Sequence, residues 1–236
     1  MLLEASNLNF FLGKAQILRS VSLNVGEGEI VALLGRNGAG KSSILKSILG
    51  LYNHRDGTIH FKGQDITKTP TRHRVLMGLA YSPEDARVFP ELTVEENINL
   101  GIWVVEKRQE GSAAFTLQQG FDIFPKLKDL IDRKGGNLSG GEKKMVSVTR
   151  ALALSPSLLL LDESFEGLAP LVVSHFMEAM RRIRDLGISI LLAESNLRNA
   201  SRVAERAYVV ERGEIIFKGP PGEIAENEKL ATIVGR

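Results

Sequence analysis

Apolar and polar positions along the chain follow patterns that predict alternating strands and helices. Residues 2–33 alternate apolar and polar positions between turn signals, which predicts short strands that are partly antiparallel. Ile30–Leu34 is an unbroken apolar run that leads directly into Gly35, and such a run is typical of a strand buried on both faces. From about residue 84 to residue 154 the spacing is mostly helical. A second apolar run, Leu158–Leu161, then predicts another buried strand.

The last third of the chain continues this rhythm of strands and helices. A helix is predicted where apolar residues recur every three or four positions, at Val172, Phe176, Met180 and Ile183. Ile188–Ala193 predicts a third buried strand. Ala207–Phe217 predicts a hairpin that turns at Arg212-Gly213, and a short polar tail follows it. This order of elements indicates the α/β class.

The length and composition limit the classes of protein that fit. The 236 residues fit one α/β domain, and we expect a core of about residues 1–83 and 155–236 with a helical subdomain inserted over about residues 84–154. The net charge is only +2 and the basic residues are scattered, which argues against a nucleic-acid partner. A sequence without cysteine excludes disulfides and thiolate metal sites. The apolar runs are far shorter than the roughly 20 residues of a membrane-spanning helix, so we expect a cytoplasmic protein that reaches a membrane only through a partner.

A glycine-rich segment after the first buried strand carries a phosphate-binding motif. Residues 35–42 read Gly-Arg-Asn-Gly-Ala-Gly-Lys-Ser, which fits the pattern G-x-x-x-x-G-K-[ST] between a strand and an amphipathic helix. Glycines let backbone N–H groups surround phosphate oxygens, and a helix N-terminus favours negative charge. A glycine-rich turn that precedes a lysine by chance is the alternative, and the strand and helix context argues against it. The candidate ATP-binding residues here are Gly35, Arg36, Asn37, Gly38, Ala39, Gly40, Lys41, Ser42 and Ser43.

Two carboxylates follow the second apolar run. Asp162 and Glu163 come directly after Leu158–Leu161, at the carboxyl end of a predicted parallel strand, where α/β proteins bind ligands. Lys41 can reach the β- and γ-phosphates of ATP, Ser42 can ligate Mg²⁺, and Asp162 can coordinate Mg²⁺ through water. Glu163 suits the polarisation of an attacking water molecule. A strand that ends in acidic residues is common and by itself predicts little. Together with the phosphate motif in the same chain, Asp162 and Glu163 predict a functional site.

A third motif lies between the first two. Residues 138–142 read Leu-Ser-Gly-Gly-Glu and precede a helix; by themselves they fit a helix cap with Ser139 at the N-cap. The order of the phosphate motif, Leu-Ser-Gly-Gly and the apolar run ending in Asp-Glu closely resembles the ABC ATPase cassette over nearly the whole chain. The resemblance implies a RecA-like P-loop NTPase core, an N-terminal antiparallel β subdomain and an inserted helical signature subdomain. It also implies that Ser139, Gly140 and Gly141 contact the γ-phosphate of ATP bound to a second ATP-binding subunit.

Several further segments narrow the resemblance to one branch of that family. They include Ser82-Pro83-Glu84, Val88–Ile98 and Gly167-Leu168-Ala169-Pro170. These segments are similar to the smaller ATP-binding subunit of branched-chain (hydrophobic) amino-acid importers, a group that includes urea and amide importers. The resemblance implies ATP hydrolysis that powers solute import, an identical or paralogous ATPase partner, transmembrane permease subunits and, indirectly, a solute-binding protein. Such a subunit lies on the cytoplasmic face of the membrane. The resemblance implies that Glu84–Asn97 borders the groove that receives the permease. Core packing explains the apolar side chains of this segment equally well.

Several positions depart from the usual cassette pattern. Ser164 begins a Ser-Phe-Glu segment where Pro-Ser-Leu is common after Glu163, and Lys143 replaces a usual glutamine. Leu12 stands where an adenine-stacking tyrosine is usual, with Phe10 or Phe11 as substitutes. Glu84 replaces a Mg²⁺-linked glutamine, and a carboxylate can still bind Mg²⁺ through water. Ser195 replaces a histidine that contacts the γ-phosphate; it can donate one hydrogen bond but carries no positive charge. The expected catalytic residues are Lys41, Glu163 and Ser195, and the expected metal residues are Ser42, Glu84 and Asp162.

Two alternatives stay open within the family. One is a catalytically weak cassette that acts mainly as a nucleotide-gated dimer partner, and the departures at Leu12, Ser164 and Ser195 favour it. The other is the ATPase of a urea or amide importer of the same branch. An ABC protein of DNA repair or translation is disfavoured, because the interval between Glu84 and Ser139 is short and lacks sustained heptads.

Overall fold

The structure is a computed structural model that describes residues 1–52, 56–106 and 115–235. The strands, in chain order, are β1 (Leu3–Leu12), β2 (Ala15–Val25), β3 (Ile30–Leu34), β4 (Asp56–Phe61), β5 (Gln64–Asp65), β6 (Leu79–Ser82), β7 (Leu158–Asp162), β8 (Ser189–Glu194), β9 (Arg206–Glu211) and β10 (Glu214–Gly219). The α-helices are α1 (Lys41–Leu49), α2 (Thr71–Met77), α3 (Val94–Glu106), α4 (Leu117–Ile123), α5 (Gly140–Leu152), α6 (Pro170–Asp185), α7 (Leu197–Ala200), α8 (Pro221–Glu226) and α9 (Glu228–Val234). Within these ranges there are also two 3₁₀ helices, Pro125–Leu130 and Gly135–Asn137.

The strands form two sheets. The first sheet is antiparallel, has the order β2-β1-β4-β5 and contains the N-terminal strands. The second sheet has the order β10-β9-β3-β8-β7-β6. Its strands are parallel except for β10, which forms an antiparallel hairpin with β9. The α/β core and the N-terminal antiparallel sheet predicted from the sequence are therefore confirmed.

The central strands of the parallel sheet are buried on both faces, as their apolar runs predict. Every residue of β3, β7 and β8 is buried. Because successive side chains of a strand point to opposite faces, Leu158 and Leu160 pack on the side of α1 and the antiparallel sheet. Leu159 and Leu161 pack on the other side, against α5 and α6. Apolar packing on both faces thus fixes the strands whose ends carry the predicted site.

The helices α3, α4 and α5 lie between β6 and β7, in the region predicted to be helical. Helices α3 and α5 approach closely at Gly101, where an added Cβ atom would lie 2.5 Å from the carbonyl oxygen of Arg150. Glycine is required at this crossing because it lacks that atom. Residues 107–114 of the predicted helical insertion lie outside the described residues. Helices therefore interrupt the α/β core between these two strands, as the predicted fold class requires.

The C-terminal segment differs from the sequence expectation of a short polar tail. Residues 221–234 instead form α8 and α9. Ile224, Leu230 and Val234 from these helices are buried against the core. A few apolar residues separated by charged ones give only a weak periodic signal, so tertiary packing decides the structure here.

Candidate active site

The segments that carry the predicted site residues converge at the carboxyl edge of the parallel sheet. In the strand register Leu34 lies opposite Glu194, and Asp162 lies opposite Ala193. The segments that follow β3, β7 and β8 therefore leave the sheet side by side. This edge is where open α/β sheets bind their ligands.

The loop from Gly35 to Gly40 joins β3 to α1. Gly35 has no room for a side chain, because an added Cβ atom would lie 2.3 Å from the carbonyl oxygen of Val210. Gly40 precedes the helix with a φ angle of 111°, a conformation that favours glycine. The loop thus leads into the N-terminus of a nine-residue helix, whose first backbone N–H groups have no partner within the helix. Such an arrangement suits a phosphate group.

Lys41 begins α1 and is almost fully buried, with 4% of its surface exposed. Its Nζ atom donates to the carbonyl oxygens of Gly35 at 2.7 Å and Arg36 at 3.2 Å. The same atom pairs with Oε1 of Glu163 at 2.8 Å. Three contacts use all the donors of an ammonium group, so this one side chain joins the loop to the end of β7.

Asp162 ends β7 and accepts a hydrogen bond on each carboxylate oxygen. The Ser42 hydroxyl donates to Oδ1 at 2.8 Å, and the Tyr81 hydroxyl donates to Oδ2 at 2.8 Å. Burial and the nearby charge of Asp162 raise the pKa of Tyr81, so its hydroxyl stays protonated and remains a donor. Tyr81 could not be predicted from the sequence, because its local pattern does not reveal that β6 lies beside β7. Two hydroxyl groups thus orient this carboxylate.

Glu163 follows Asp162 and is held from two sides. Lys41 pairs with its Oε1 atom, while the backbone N–H and the hydroxyl of Ser195 both donate to Oε2 at 3.2 Å. The backbone of Glu163 is left-handed, with a φ angle of 46°, and its N–H donates to the carbonyl oxygen of Ala193 at 2.9 Å. The structure therefore brings the three predicted catalytic residues into direct contact.

A cavity of about 390 Å³ opens between the loop and the carboxylates, within the usual range for small-molecule sites. Glu84 and Glu163 line it, as does the exposed Glu166. Partial burial raises the pKa of Glu84, and the charges of neighbouring carboxylates, Glu166 first, add to this effect. The residues of the predicted ATP-binding set that line the cavity are Asn37, Gly38, Gly40, Lys41, Ser42 and Ser43.

The oxygen atoms beside this cavity fit a hard cation. Hydroxyl and carboxylate oxygens, such as those of Ser42, Asp162 and Glu84, are the ligands that Mg²⁺ prefers. Across the described part of the chain, no cluster of three or more histidine, cysteine, aspartate or glutamate side chains forms a metal site. For Mg²⁺ bound together with nucleotide phosphates, protein oxygen atoms usually supply only part of the coordination shell.

Leu12 is not among the residues that line this cavity. It ends β1 opposite Ala15, and 67% of its surface is exposed. Phe10, one possible substitute, is buried and stacks on Tyr52 with ring centroids 4.6 Å apart, so one face of its ring is already covered. Ile17, which the sequence analysis does not single out, lines the cavity. The structure thus does not bring Leu12 to the cavity.

Ser139, Gly140 and Gly141 lie at the start of α5, outside the residues that line this cavity. The Ser139 hydroxyl accepts a hydrogen bond from the backbone of Glu142 at 3.4 Å, and the Glu142 carboxylate accepts one from the backbone of Ser139 at 2.8 Å. These two bonds form a capping box, so Ser139 does act as an N-cap. Ser139 and Gly140 are also exposed, which leaves the start of the helix accessible to a second molecule.

Lys144 and Glu194 are two further candidate functional residues, which the sequence motifs do not mark. The Nζ atom of Lys144 donates to the carbonyl oxygens of Glu163 at 2.6 Å and Glu166 at 2.8 Å. The Oε1 atom of Glu194 accepts a hydrogen bond from the backbone of Phe165 at 3.0 Å. Burial raises the pKa of Glu194 to about 8, and the charge of Glu163 adds to this effect. A signal for Glu194 exists in the sequence, because it ends an apolar run in an acid, the pattern that also marks the end of β7.

Comparisons with known proteins identify the family. A model of the ABC transporter family matches residues 18–166. The chain is 35% identical to the high-affinity branched-chain amino acid transport ATP-binding protein BraG of Pseudomonas aeruginosa, over 97% of each protein. It is also 35% identical to the lipopolysaccharide export system ATP-binding protein LptB of Escherichia coli, over 98% of this chain and 95% of that protein. The crystal structure of the ADP conformation of MJ1267, an ATP-binding cassette of an ABC transporter, matches 100% of this chain and 99% of its own length, with a TM-score of 0.85 and 27% identity.

These comparisons agree with the geometry of the site. The matched region contains the loop after β3, the capped start of α5 and the carboxylates that end β7. Cassettes of this kind hydrolyse ATP, and they work as dimers together with transmembrane permease subunits. The chain therefore belongs to the ABC transporter family, in which it is an ATP-binding subunit with ATPase activity.

Proposed function

We propose that this chain is the smaller ATPase subunit of an importer for branched-chain or other hydrophobic amino acids. Its identity to BraG and to LptB is the same, 35%, so overall similarity does not separate an importer from an exporter. Ser195 carries the proposal, because the importer branch that the chain resembles tends to lack the histidine found at this position in most cassettes. Ser195 lies in the site, where its hydroxyl contacts Glu163 at 3.2 Å. Glu84 and the segment Gly167–Pro170 support the same branch.

Within the site, Lys41 and the backbone amides of the preceding loop hold the phosphates of ATP. In the structure Lys41 is paired with Oε1 of Glu163 at 2.8 Å. A triphosphate attracts the ammonium group more strongly than a single carboxylate does, so ATP binding breaks this pair. Oε1 of Glu163 is then free to accept a proton from the attacking water. Ser195 keeps its two hydrogen bonds to Oε2, which hold the carboxylate in one orientation.

Ser42 and Asp162 are the proposed magnesium residues, with Glu84 acting through water. The hydrogen bond of 2.8 Å between Ser42 and Asp162 shows that their oxygen atoms already lie side by side. When bound, Mg²⁺ neutralises charge on the β- and γ-phosphates. Tyr81 holds the second oxygen of Asp162 and so fixes the orientation of this carboxylate.

A second ATP-binding subunit, identical or paralogous, completes each nucleotide site in this proposal. Ser139, Gly140 and Gly141 lie outside the cavity of their own chain, at the start of a 13-residue helix. The backbone amides and the dipole of a helix N-terminus suit a phosphate group. We infer that these residues contact the γ-phosphate of ATP bound to the partner, while the corresponding residues of the partner contact ATP bound at Lys41.

The proposed membrane partner is a permease. In the three described ranges, no helix has both the length and the apolar character needed to cross a bilayer. We propose that the chain lies on the cytoplasmic face of the membrane, bound to transmembrane permease subunits that receive solute from a solute-binding protein. Phe89, Trp103 and Val104 are apolar residues at and near α3 with about half of their surface exposed, and they form a candidate contact with the permease.

A catalytically weak cassette that serves mainly as a nucleotide-gated dimer partner is the second candidate. Ser195 favours this reading as well, because a hydroxyl cannot bring positive charge to the γ-phosphate. Single-turnover hydrolysis by the assembled transporter separates the two candidates. A weak cassette would bind ATP and dimerise, but its own nucleotide would persist after the partner's nucleotide has been hydrolysed.

Uptake of radiolabelled leucine tests the proposed transport role. A strain that lacks this gene is expected to recover uptake when it receives the wild-type chain but not when it receives Glu163→Gln. Uptake of urea, measured in the same strains, is the control for the related importers of this branch. Normal leucine uptake in the deletion strain would contradict the proposed solute, and a defect in lipopolysaccharide export instead would assign the chain to an LptB-like system.

A further inference from the structure

The segment that follows β7, Glu163–Gly167, is held by a lysine from another part of the fold. Lys144 lies on α5, and its Nζ atom donates to the carbonyl oxygens of Glu163 at 2.6 Å and Glu166 at 2.8 Å. A single charged donor thus bonds two carbonyl groups of the same short segment, which restricts the path of the backbone between them.

The backbone at Glu163 requires such support. Its left-handed φ angle of 46° is strained for a residue other than glycine, and such a conformation persists only where the surroundings fix it. The N–H group of Glu163 donates to Ala193 at 2.9 Å, and its carbonyl oxygen accepts from Lys144. The first contact comes from within the parallel sheet, whereas the second comes from the helical region. Together these two contacts restrict the direction in which the Glu163 side chain leaves the backbone.

Lys144 also lies among carboxylates. Burial lowers its pKa, and the charges of several acids oppose that shift; these acids are Glu194, Glu166, Glu84 and Glu163. The ammonium group therefore acts as a counter-ion within an acidic region. A neutral side chain of similar length would fill the same volume but would supply neither the charge nor the two hydrogen bonds.

We propose that Lys144 is a positioning residue for ATP hydrolysis, which fixes the backbone of Glu163 so that its carboxylate meets the attacking water. This proposal rests on the catalytic role proposed above for Glu163. Lys144 lies on α5. The start of this helix, at Ser139, Gly140 and Gly141, is proposed to contact the partner's nucleotide. Displacement of the start of α5 by the partner would therefore be transmitted to Glu163 through a direct contact.

The test compares three substitutions in the assembled transporter; where the partner ATPase is a paralogue, its own catalytic carboxylate is neutralised, so that the measured turnover comes from the site of this chain. Lys144→Met keeps the volume of the side chain but removes its charge and its hydrogen-bond donors. Lys144→Arg keeps the charge and the donors. Lys143→Met is the matched control, because Lys143 is the neighbour of Lys144 on α5 and its side chain makes no hydrogen bond or ion pair within the described residues. ATPase rates are measured over a range of ATP concentrations, so that kcat and KM are obtained separately.

Lys144→Met is expected to lower kcat roughly 10- to 100-fold. A displacement of about 1 Å at a reacting group can slow a reaction by about 100-fold. KM for ATP is expected to stay within about twofold of the wild-type value, because Lys144 lies outside the residues that line the cavity. Lys144→Arg should restore most of the turnover. Lys143→Met should behave as wild type.

Wild-type kcat in Lys144→Met would overturn the proposal, as would an equal loss in Lys143→Met. If kcat and KM change in parallel and Lys144→Arg does not restore them, Lys144 has a purely structural role. That result would also overturn the proposal. If Lys144→Met does not fold, Lys144→Gln allows the same comparison. Glu163→Gln separates this proposal from the one on which it rests. Retained turnover in Glu163→Gln would remove the catalytic role of Glu163, whereas lost turnover in Glu163→Gln beside a normal Lys144→Met would remove only the positioning role.

Discussion

Glu194 allows a quantitative test of the electrostatics beside the site. This residue is 1% exposed, and its Oε1 atom accepts a hydrogen bond from the backbone of Phe165 at 3.0 Å. Burial raises its pKa from 4.5 to about 8, with a further contribution from the charge of Glu163. Glu194→Gln is the informative change, because glutamine keeps the shape and an acceptor oxygen but does not ionise.

The sign and size of the effect follow from proton linkage. The pKa is higher in the folded state, so the folded chain retains a proton that the unfolded chain releases. The free energy of unfolding therefore falls as the pH rises from about 4.5 to about 8, and the loss is complete above that range. At about 1.4 kcal/mol for each unit of pKa, this loss amounts to roughly 4–5 kcal/mol. Glutamine at this position removes the loss.

Urea denaturation of both proteins at about pH 5, pH 6.5 and pH 8.5 measures the effect. The advantage of Glu194→Gln in free energy of unfolding is expected to grow from about 1 kcal/mol at the lowest pH to roughly 4–5 kcal/mol at the highest. Glu166→Gln is the control, because it removes an exposed carboxylate from the adjacent segment and should not reproduce the pH-dependent gain expected for Glu194→Gln. A difference between wild type and Glu194→Gln that is constant with pH would refute the reasoning.

Three further changes test other residues of the site. Lys41→Ala should abolish the rise in thermal midpoint that ATP causes, and should lower the midpoint without ATP because Glu163 loses its buried partner. A thermal-shift titration measures both, and a retained response to ATP would contradict the role of Lys41. Ser139→Arg should leave ATP binding by the isolated chain intact but reduce the ATPase rate of the assembled transporter, because it obstructs the exposed start of α5; weaker binding by the isolated chain would argue against a contact with the partner's nucleotide. In a transporter whose partner carries the γ-phosphate histidine, Glu163→Gln should leave more ATPase activity than the equivalent change in the partner, because the site with Ser195 lacks an electrostatic contact worth roughly 10²–10³ in rate. A larger loss from Glu163→Gln would show that the asymmetry has the opposite direction.

The parts of the molecule with strong local signals could be predicted from the sequence. Continuous apolar runs are typical of strands buried on both faces, so Ile30–Leu34, Leu158–Leu161 and Ile188–Ala193 match β3, β7 and β8 within about one residue. The phosphate motif could be recognised for a similar reason. Its residues are contiguous, and the loop they form depends on local backbone conformation, as the φ angle of 111° at Gly40 shows.

Contacts between distant elements could not be predicted in this way. Lys144 and Tyr81 reach the end of β7 only because α5 and β6 pack beside it, and nothing in their local sequence reveals that arrangement. Leu12 ends β1 with most of its surface exposed, and its contact with adenine stays a prediction. The two C-terminal helices depend on burial of Ile224 and Val234 against the core, which is also a tertiary effect.

Glu163→Gln tests most directly whether this chain hydrolyses ATP with Glu163 as the carboxylate that polarises water. The substitution keeps the size of the side chain and removes the proton acceptor. Single-turnover hydrolysis is measured with the chain assembled with its ATP-binding partner, in excess over radiolabelled ATP; a paralogous partner has its own catalytic carboxylate neutralised. Size-exclusion chromatography with and without ATP follows dimerisation. We expect ATP binding to persist, an ATP-bound dimer to accumulate and the hydrolysis rate to fall by roughly 10²–10⁴. A hydrolysis rate close to that of the wild-type chain would contradict the role of Glu163.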